Sequence, residues 1–269
     1  MWAEQLRQEI EKRKRADVTV TPAKYGYFPM MPFVIFSDRQ KNVRRFMDEY
    51  TENLAKFPLA AQLDFLGHSN GTYILASALQ RYQTLRVNNV FFAGSVVPKH
   101  YPWRQLVESR RVERLHNMVA TKDWVVALLP RFFEQVAEWL GVTSVKGVFD
   151  IGSAGFRGFD DSGRPDPEQR VFDAKYVEGT HGSALDLREA KKMSAVVRFA
   201  VDGRDDELRA LATGKEVDSW LDTWSNLSWV IWLGMACVLL GLGYGATLLL
   251  GGLGLAGYAV ILVALLYSF

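Results

Sequence analysis

Ser69 lies in the stretch "FLGHSNGTY", where Gly67, Ser69 and Gly71 fit the pattern Gly-x-Ser-x-Gly. A serine hydroxyl can attack a carbonyl carbon if a base takes its proton and a carboxylate orients that base. Five residues rich in Gly and Ser carry little specificity alone, so the surroundings must make the case. The apolar run 61–69 reads as a strand ending at the serine. "NGTYILASALQRY" follows as a helix, with Ile74, Leu75, Ala78 and Leu79 turned inward. Strand, sharp turn and helix together are the setting of a nucleophile elbow. There the backbone N–H of Asn70 would face a developing oxyanion. Side chains at Gly67 and Gly71 would collide with the neighbouring strand and helix.

A base and an acid must then be found. The chain has four histidines. His68 is inside the elbow, with its side chain expected to point away from that of Ser69. His116 falls within a predicted strand and reads as a satisfied core residue, and His100 follows a strand in a loop. His181, in "YVEGTHGSAL", sits on a loop between the last strand and a helix, where an imidazole can reach Ser69. Among the acids, Asp123 in "NMVATKDWVV" lies just past a strand, at the carboxyl edge where open α/β sheets build their sites. Asp150, Asp160 and Asp161 lie in a loop-rich stretch and are weaker choices. Asp173 and Asp186 are very near His181 in sequence. Ser69, Asp123 and His181 are the resulting triad, a chemistry that calls for no cofactor and no metal.

The elements that must position these residues alternate helical and strand-like patterns, which argues for an α/β fold with a mostly parallel sheet flanked by helices. Residues 1–15 read as a helix. Val18 and Val20 read as part of a strand that leaves into the aromatic loop 24–36. A helix over 37–57 opens on a Ser37 or Asp38 cap and carries the stripe Val43, Phe46, Met47 and Tyr50. Then come a strand at 88–97, a helical link at 103–108, a strand at 114–121 and a helix at 124–141 containing Pro130. A loop-rich stretch, 147–167, precedes the last strand at 171–179 and an amphipathic helix at 183–201. Three regions follow: a sheet domain at 1–201, a polar linker or juxtamembrane helix at 202–222, and an apolar end at 223–269.

That end is the sharpest feature of the composition. The 269-residue chain has a net charge of +2, too balanced for a nucleic-acid partner. The run Lys12–Arg15 sits at the end of a helix, where the dipole favours cations. A single cysteine, Cys237, allows no intrachain disulfide. From Thr223 to Phe269 there are 47 residues without one charge, roughly twice the ~20 a membrane-spanning helix needs. Two spans, 227–247 and 251–268, joined by a glycine-rich turn, are the natural division. Trp220, Trp224, Trp229 and Trp232 mark the entry, where indoles favour the headgroup layer. Gly241 and Gly245 supply a GxxxG spacing for close approach of the two spans. Lys191, Lys192, Arg198, Arg204, Arg209 and Lys215 precede the first span, which predicts an integral membrane protein with its sheet domain on the cytoplasmic side.

As a set, "LGHSNGTYIL", "VFFAGSVV", "NMVATKDWVV" and "YVEGTHGSAL" resemble the successive blocks of an α/β-hydrolase, over roughly residues 1–201. The resemblance implies Ser69 as nucleophile, Asp123 as orienting acid, His181 as base and Asn70 as an oxyanion-hole donor. It also exposes a departure. In that family a strand and a loop, often with a His-Gly pair, precede the first helix and supply the second oxyanion donor. "MWAEQLRQEI" reads as the helix that follows such a loop, so the N-terminal strands are expected to lie upstream of Met1 in a longer chain. The expected function is a membrane-anchored hydrolase of ester or related acyl bonds, with an acyl or lipid-like substrate and the bilayer as partners. Two alternatives are an impaired hydrolase fold kept for binding or signalling, and an amidase or peptidase.

Overall fold

Four short apolar segments pair as parallel strands: β1 (Leu63–His68), β2 (Val87–Ala93), β3 (Val112–Ala120) and β4 (Val171–Val177). Their order in the sheet is β1-β2-β3-β4. The computed structural model describes residues 2–12, 19–22, 33, 35–58, 63–142, 150–163, 170–185, 189–214 and 217–268. β2, "VNNVFFA", is buried along almost its whole length. Continuous apolar runs of this kind are required of parallel strands, because helices cover both faces.

The helices are α1 (Trp2–Lys12), α2 (Phe36–Lys56), α3 (Asn70–Arg81), α4 (Trp103–Glu108), α5 (Trp124–Trp139), α6 (Ala154–Arg157), α7 (Ala190–Asp202), α8 (Asp206–Arg209), α9 (Ser219–Asn226) and α10 (Ser228–Ser268). On one face of the sheet α2, α3 and α4 bury Val43, Phe46, Ile74, Leu79, Trp103 and Leu106 against Val90 and Phe92. On the other, α1 and α7 bury Leu6, Ile10, Val196 and Phe199 against Phe91 and Met118. Each such side chain, fully buried, stabilises the fold by about 1.5–3 kcal/mol. α3, which starts at the candidate elbow, is buried continuously from Thr72 to Leu79. The turn that launches it is therefore anchored by the centre of the core.

Some expectations change. Thr19 to Pro22 form no strand, although Val20 still packs against the second cluster; the rest of the predicted strand lies outside the described residues. So does the aromatic stretch 24–36, apart from Phe33, Ile35 and Phe36. Neither Ser37 nor Asp38 caps α2. The cap position is Ile35 without a side-chain bond, and Asp38 sits in the first turn, paired with Lys41 at 2.6 Å. There its charge complements the helix dipole instead. The amphipathic helix predicted from 183 starts only at Ala190, after a short 3-10 turn at Ser183–Leu185.

α10 is long and apolar enough to cross a membrane. It breaks at Gly251, whose φ of 61° and ψ of −146° lie outside helical values. Tyr258 Oη donates to the carbonyl of Leu239 at 2.7 Å. Nineteen residues of straight helix would hold those two about 28 Å apart, so the halves fold back on each other. Gly241 and Gly245 face open space, which corrects their expected role. Close approach falls instead on Gly243, under the Tyr258 ring, and Gly254, against the carbonyl of Ala246.

Polar side chains tie this segment to the sheet domain. Gln135 on α5 donates to the carbonyl of Asn226 at 2.9 Å and accepts from Ser228 Oγ at 2.6 Å. Trp232 Nε1 donates to the carbonyl of Leu128 at 3.2 Å. Arg157 reaches Asp222 at 2.7 Å and donates to Ser225 Oγ at 2.7 Å.

Candidate active site

Parallel strands in consecutive order bring four loops to one edge, and each carries a residue of interest. Ser69 ends β1, Gly94 ends β2, Asp123 follows β3 and His181 follows β4. Ser69 has φ 53° and ψ −119°, a conformation that costs a non-glycine residue about 1–3 kcal/mol and persists only where surroundings enforce it. The enforcing bonds are visible. Ser69 N–H donates to the carbonyl of Ala93 at 3.1 Å, while its own carbonyl accepts from Thr72 N–H at 2.9 Å and Thr72 Oγ1 at 2.7 Å. Thr72 Oγ1 in turn accepts from Val96 N–H at 3.1 Å. As first residue of α3, Asn70 carries a backbone N–H with no intrahelical acceptor.

Of the elbow glycines, only Gly67 is sterically required. A Cβ there would lie 2.8 Å from Phe65 Cε1 and 3.2 Å from Gly71 C and Thr72 N, whereas one at Gly71 would meet open space.

Asp123 and His181, 58 residues apart in sequence, meet because the β3–β4 pairing continues past the strands. Thr121 N–H donates to Val177 O at 3.0 Å, Lys122 N–H to Gly179 O at 2.9 Å, and Gly179 N–H to Thr121 Oγ1 at 3.2 Å. The carboxylate of Asp123 is fully buried, with both oxygens near His181 Nδ1, at 3.0 and 2.9 Å. It also caps α5 by accepting from Val126 N–H at 3.0 Å. A carboxylate only accepts, so Nδ1 carries the proton and Nε2 is left with its lone pair. That is the tautomer of a general base. Among the described residues Nε2 makes no hydrogen bond, and none joins the Ser69 hydroxyl to the imidazole.

Two residues at the site carried little signal in the sequence. Gly94 has φ +55°, and a Cβ on it would lie 2.7 Å from His181 Cε1 and 2.8 Å from Nδ1. Only a glycine lets the imidazole lie across the end of β2; the cue was a glycine following "VFFA". His68 does not turn away from the site. Its Nε2 donates to the carbonyl of His181 at 3.1 Å, and the two rings lie 4.8 Å apart. Burial, then the neighbouring His181, pushes the His68 pKa down to about 4, so it is neutral near pH 7 and holds the loop as a donor.

The other candidates lie elsewhere. His100 is exposed. His116 is buried among Phe91, Phe172 and Phe199, but neither ring nitrogen has a partner among the described residues, and burial pushes its pKa down to about 3. Asp150 belongs to a buried network, bonded to Arg39 at 2.7 Å and to Tyr73 Oη at 2.7 Å. Asp161 accepts from Arg104 N–H at 3.0 Å, and Asp173 from Asn117 and from Phe159 N–H, both at 2.7 Å. Asp160 is exposed at a 3-10 turn, and Asp186 lies outside the described residues. No group of His, Cys, Asp and Glu suited to a metal occurs among the described residues. No protein-family model, characterised protein or solved structure matches this chain, so its geometry alone carries the functional reading.

Proposed function

We propose that the chain is a membrane-anchored serine hydrolase of α/β-hydrolase type that cleaves an ester or related acyl bond. The observation that carries this reading is the hydrogen-bonded pair of buried Asp123 and His181, lying over Gly94 at the end of the strand next to the positive-φ Ser69. In the proposed reaction Ser69 Oγ bonds to the acyl carbon as its proton passes to His181 Nε2. Asp123 stabilises the imidazolium, and the Asn70 N–H donates to the oxyanion. The carbon–oxygen bond to the leaving group breaks as His181 returns the proton to that oxygen. Water, deprotonated by the same imidazole, then releases the acid and restores the Ser69 hydroxyl.

The anchor reading rests on the uncharged C-terminal segment and its break at Gly251, which divides α10 into halves each near the length of one span. With both halves crossing, the basic residues before the first span favour the cytoplasmic side for the sheet domain. A protease-sensitive N-terminal tag on intact cells tests it, and cleavage from outside would overturn it.

A fluorophosphonate probe tests the chemistry. It should label the wild-type chain and not Ser69→Ala. Equal labelling of both removes Ser69 as nucleophile. The Ser69 hydroxyl, unbonded among the described residues, favours one second reading, a hydrolase fold kept for binding or signalling. A wild-type chain that resists the probe supports that reading.

A further inference from the structure

We infer that an apolar groove beside the Asp123–His181 pair is the acyl-chain subsite of this site, and that it receives the fatty-acyl chain of a bilayer lipid ester from the membrane side. The reaction rests on the hydrolase reading; the occupant of the groove is argued separately. The groove holds about 420 Å³, within the range of pockets that enclose a small ligand. Its lining includes Lys122 and Trp124, the sequence neighbours of Asp123, and Thr180, the sequence neighbour of His181. Trp220 and Trp224 of α9, Ile231 of α10 and Leu128 of α5 also line it. Asp218, which accepts from Trp220 N–H at the start of α9, and Leu221 complete the lining, whose accessible surface is almost wholly apolar and shields methylenes from water.

Its placement points to the bilayer as source. The bonds of Gln135, Arg157 and Trp232 lock α9 and the start of α10 onto the sheet domain. The wall of the groove and the apolar helix are therefore one piece, with Ile231 belonging to both. Trp124 and Trp220, at the groove, are 57% and 65% exposed, and Trp139, 62% exposed, meets Trp229 edge-on at 5.5 Å. Exposed indoles from both α5 and α9 suit the headgroup layer. On this inference the ester is presented to His181 while its chain occupies the groove.

The test uses the full chain in lipid nanodiscs containing phosphatidylcholine with a mid-chain diazirine, in a Ser69→Ala background that needs no turnover. Crosslinks are expected on residues 122–128 and 220–224, reduced severalfold by Ile231→Trp, which fills the groove. Crosslinks confined to residues 228–265 would overturn the inference. A second arm compares labelling by hexadecyl and ethyl fluorophosphonates. Each methylene excluded from the groove costs about fourfold, so Ile231→Trp should lower the hexadecyl-to-ethyl ratio about tenfold or more, and Trp224→Ala should shift it independently. A ratio unchanged in both variants sinks the acyl subsite while leaving the hydrolase standing. Failure of both probes on wild type sinks the hydrolase, and the crosslinks still decide what the groove holds.

Discussion

Replacing Asp123 by Asn separates the two tasks of that carboxylate. Asn retains an oxygen for the Val126 N–H, now bonded at 3.0 Å, and it caps helices about as well as Asp. Losing the negative charge at the start of α5 costs about 0.3–1 kcal/mol. The melt should therefore move little. The imidazole fares differently. With the amide oxygen held by Val126, the NH₂ faces His181 Nδ1, which now sits 2.9–3.0 Å from the carboxylate oxygens. Nδ1 must then accept, the ring proton moves to Nε2, and the lone pair that would deprotonate Ser69 is lost. A wrong tautomer of this kind lowers serine-hydrolase rates by about 10⁴, equivalent to about 5.5 kcal/mol of barrier. The assay is the second-order rate of fluorophosphonate labelling, beside a thermal melt by near-UV circular dichroism. A folded Asp123→Asn chain that labels within tenfold of wild type would refute the role given to this pair.

Gly94→Ala places a Cβ 2.7 Å from His181 Cε1 at a φ of +55°. It should cost about 1–2 kcal/mol of stability and, by displacing the imidazole, slow labelling about a hundredfold; an unchanged rate would show that the ring is not held there. Acid should unfold the domain. His68 and His116 bind protons in the folded chain only below about 4 and about 3, while the unfolded chain binds them below its ordinary 6.5. Their contribution is thus complete above pH 6.5 and lost as pH falls towards 3. Denaturant titrations at neutral and acid pH should show this slope, shallower in His116→Phe; a flat profile would count against the burial of both rings. Arg39→Met strands the Asp150 carboxylate, with Arg39 fully buried in wild type. It should cost about 3–5 kcal/mol, read as a shift in denaturant midpoint and partly recovered by adding Asp150→Asn.

Much of this protein was legible from local pattern. The link at Trp103–Glu108 and the stripe Val43, Phe46, Met47 and Tyr50 follow from hydrophobic period. So do the strands around Phe65, Phe91, Met118 and Ala174. A parallel sheet buried on both faces demands continuous apolar runs between amphipathic helices, and local sequence records both. The uncharged end needed only a reading of composition.

What sequence alone could not place were contacts between distant loops. Nothing local says that His68 donates to the His181 carbonyl, or that Gly94 makes room for the ring. Nor does it say that Gly243 and Gly254, rather than Gly241 and Gly245, sit at the close approach in the hairpin. Spacing gives the face of one helix, while packing of two depends on where the chain turns, and Gly251 decided that. Asp150, an acidic loop residue in sequence, became half of a buried ion pair because α2 delivers Arg39 to it. Ser69, Asp123 and His181 could each be placed at a strand end from the sequence. That Asp123 and His181 meet depended on sheet order and on backbone bonds that carry the β3–β4 pairing past its strands, since long-range register is a property of the assembled sheet.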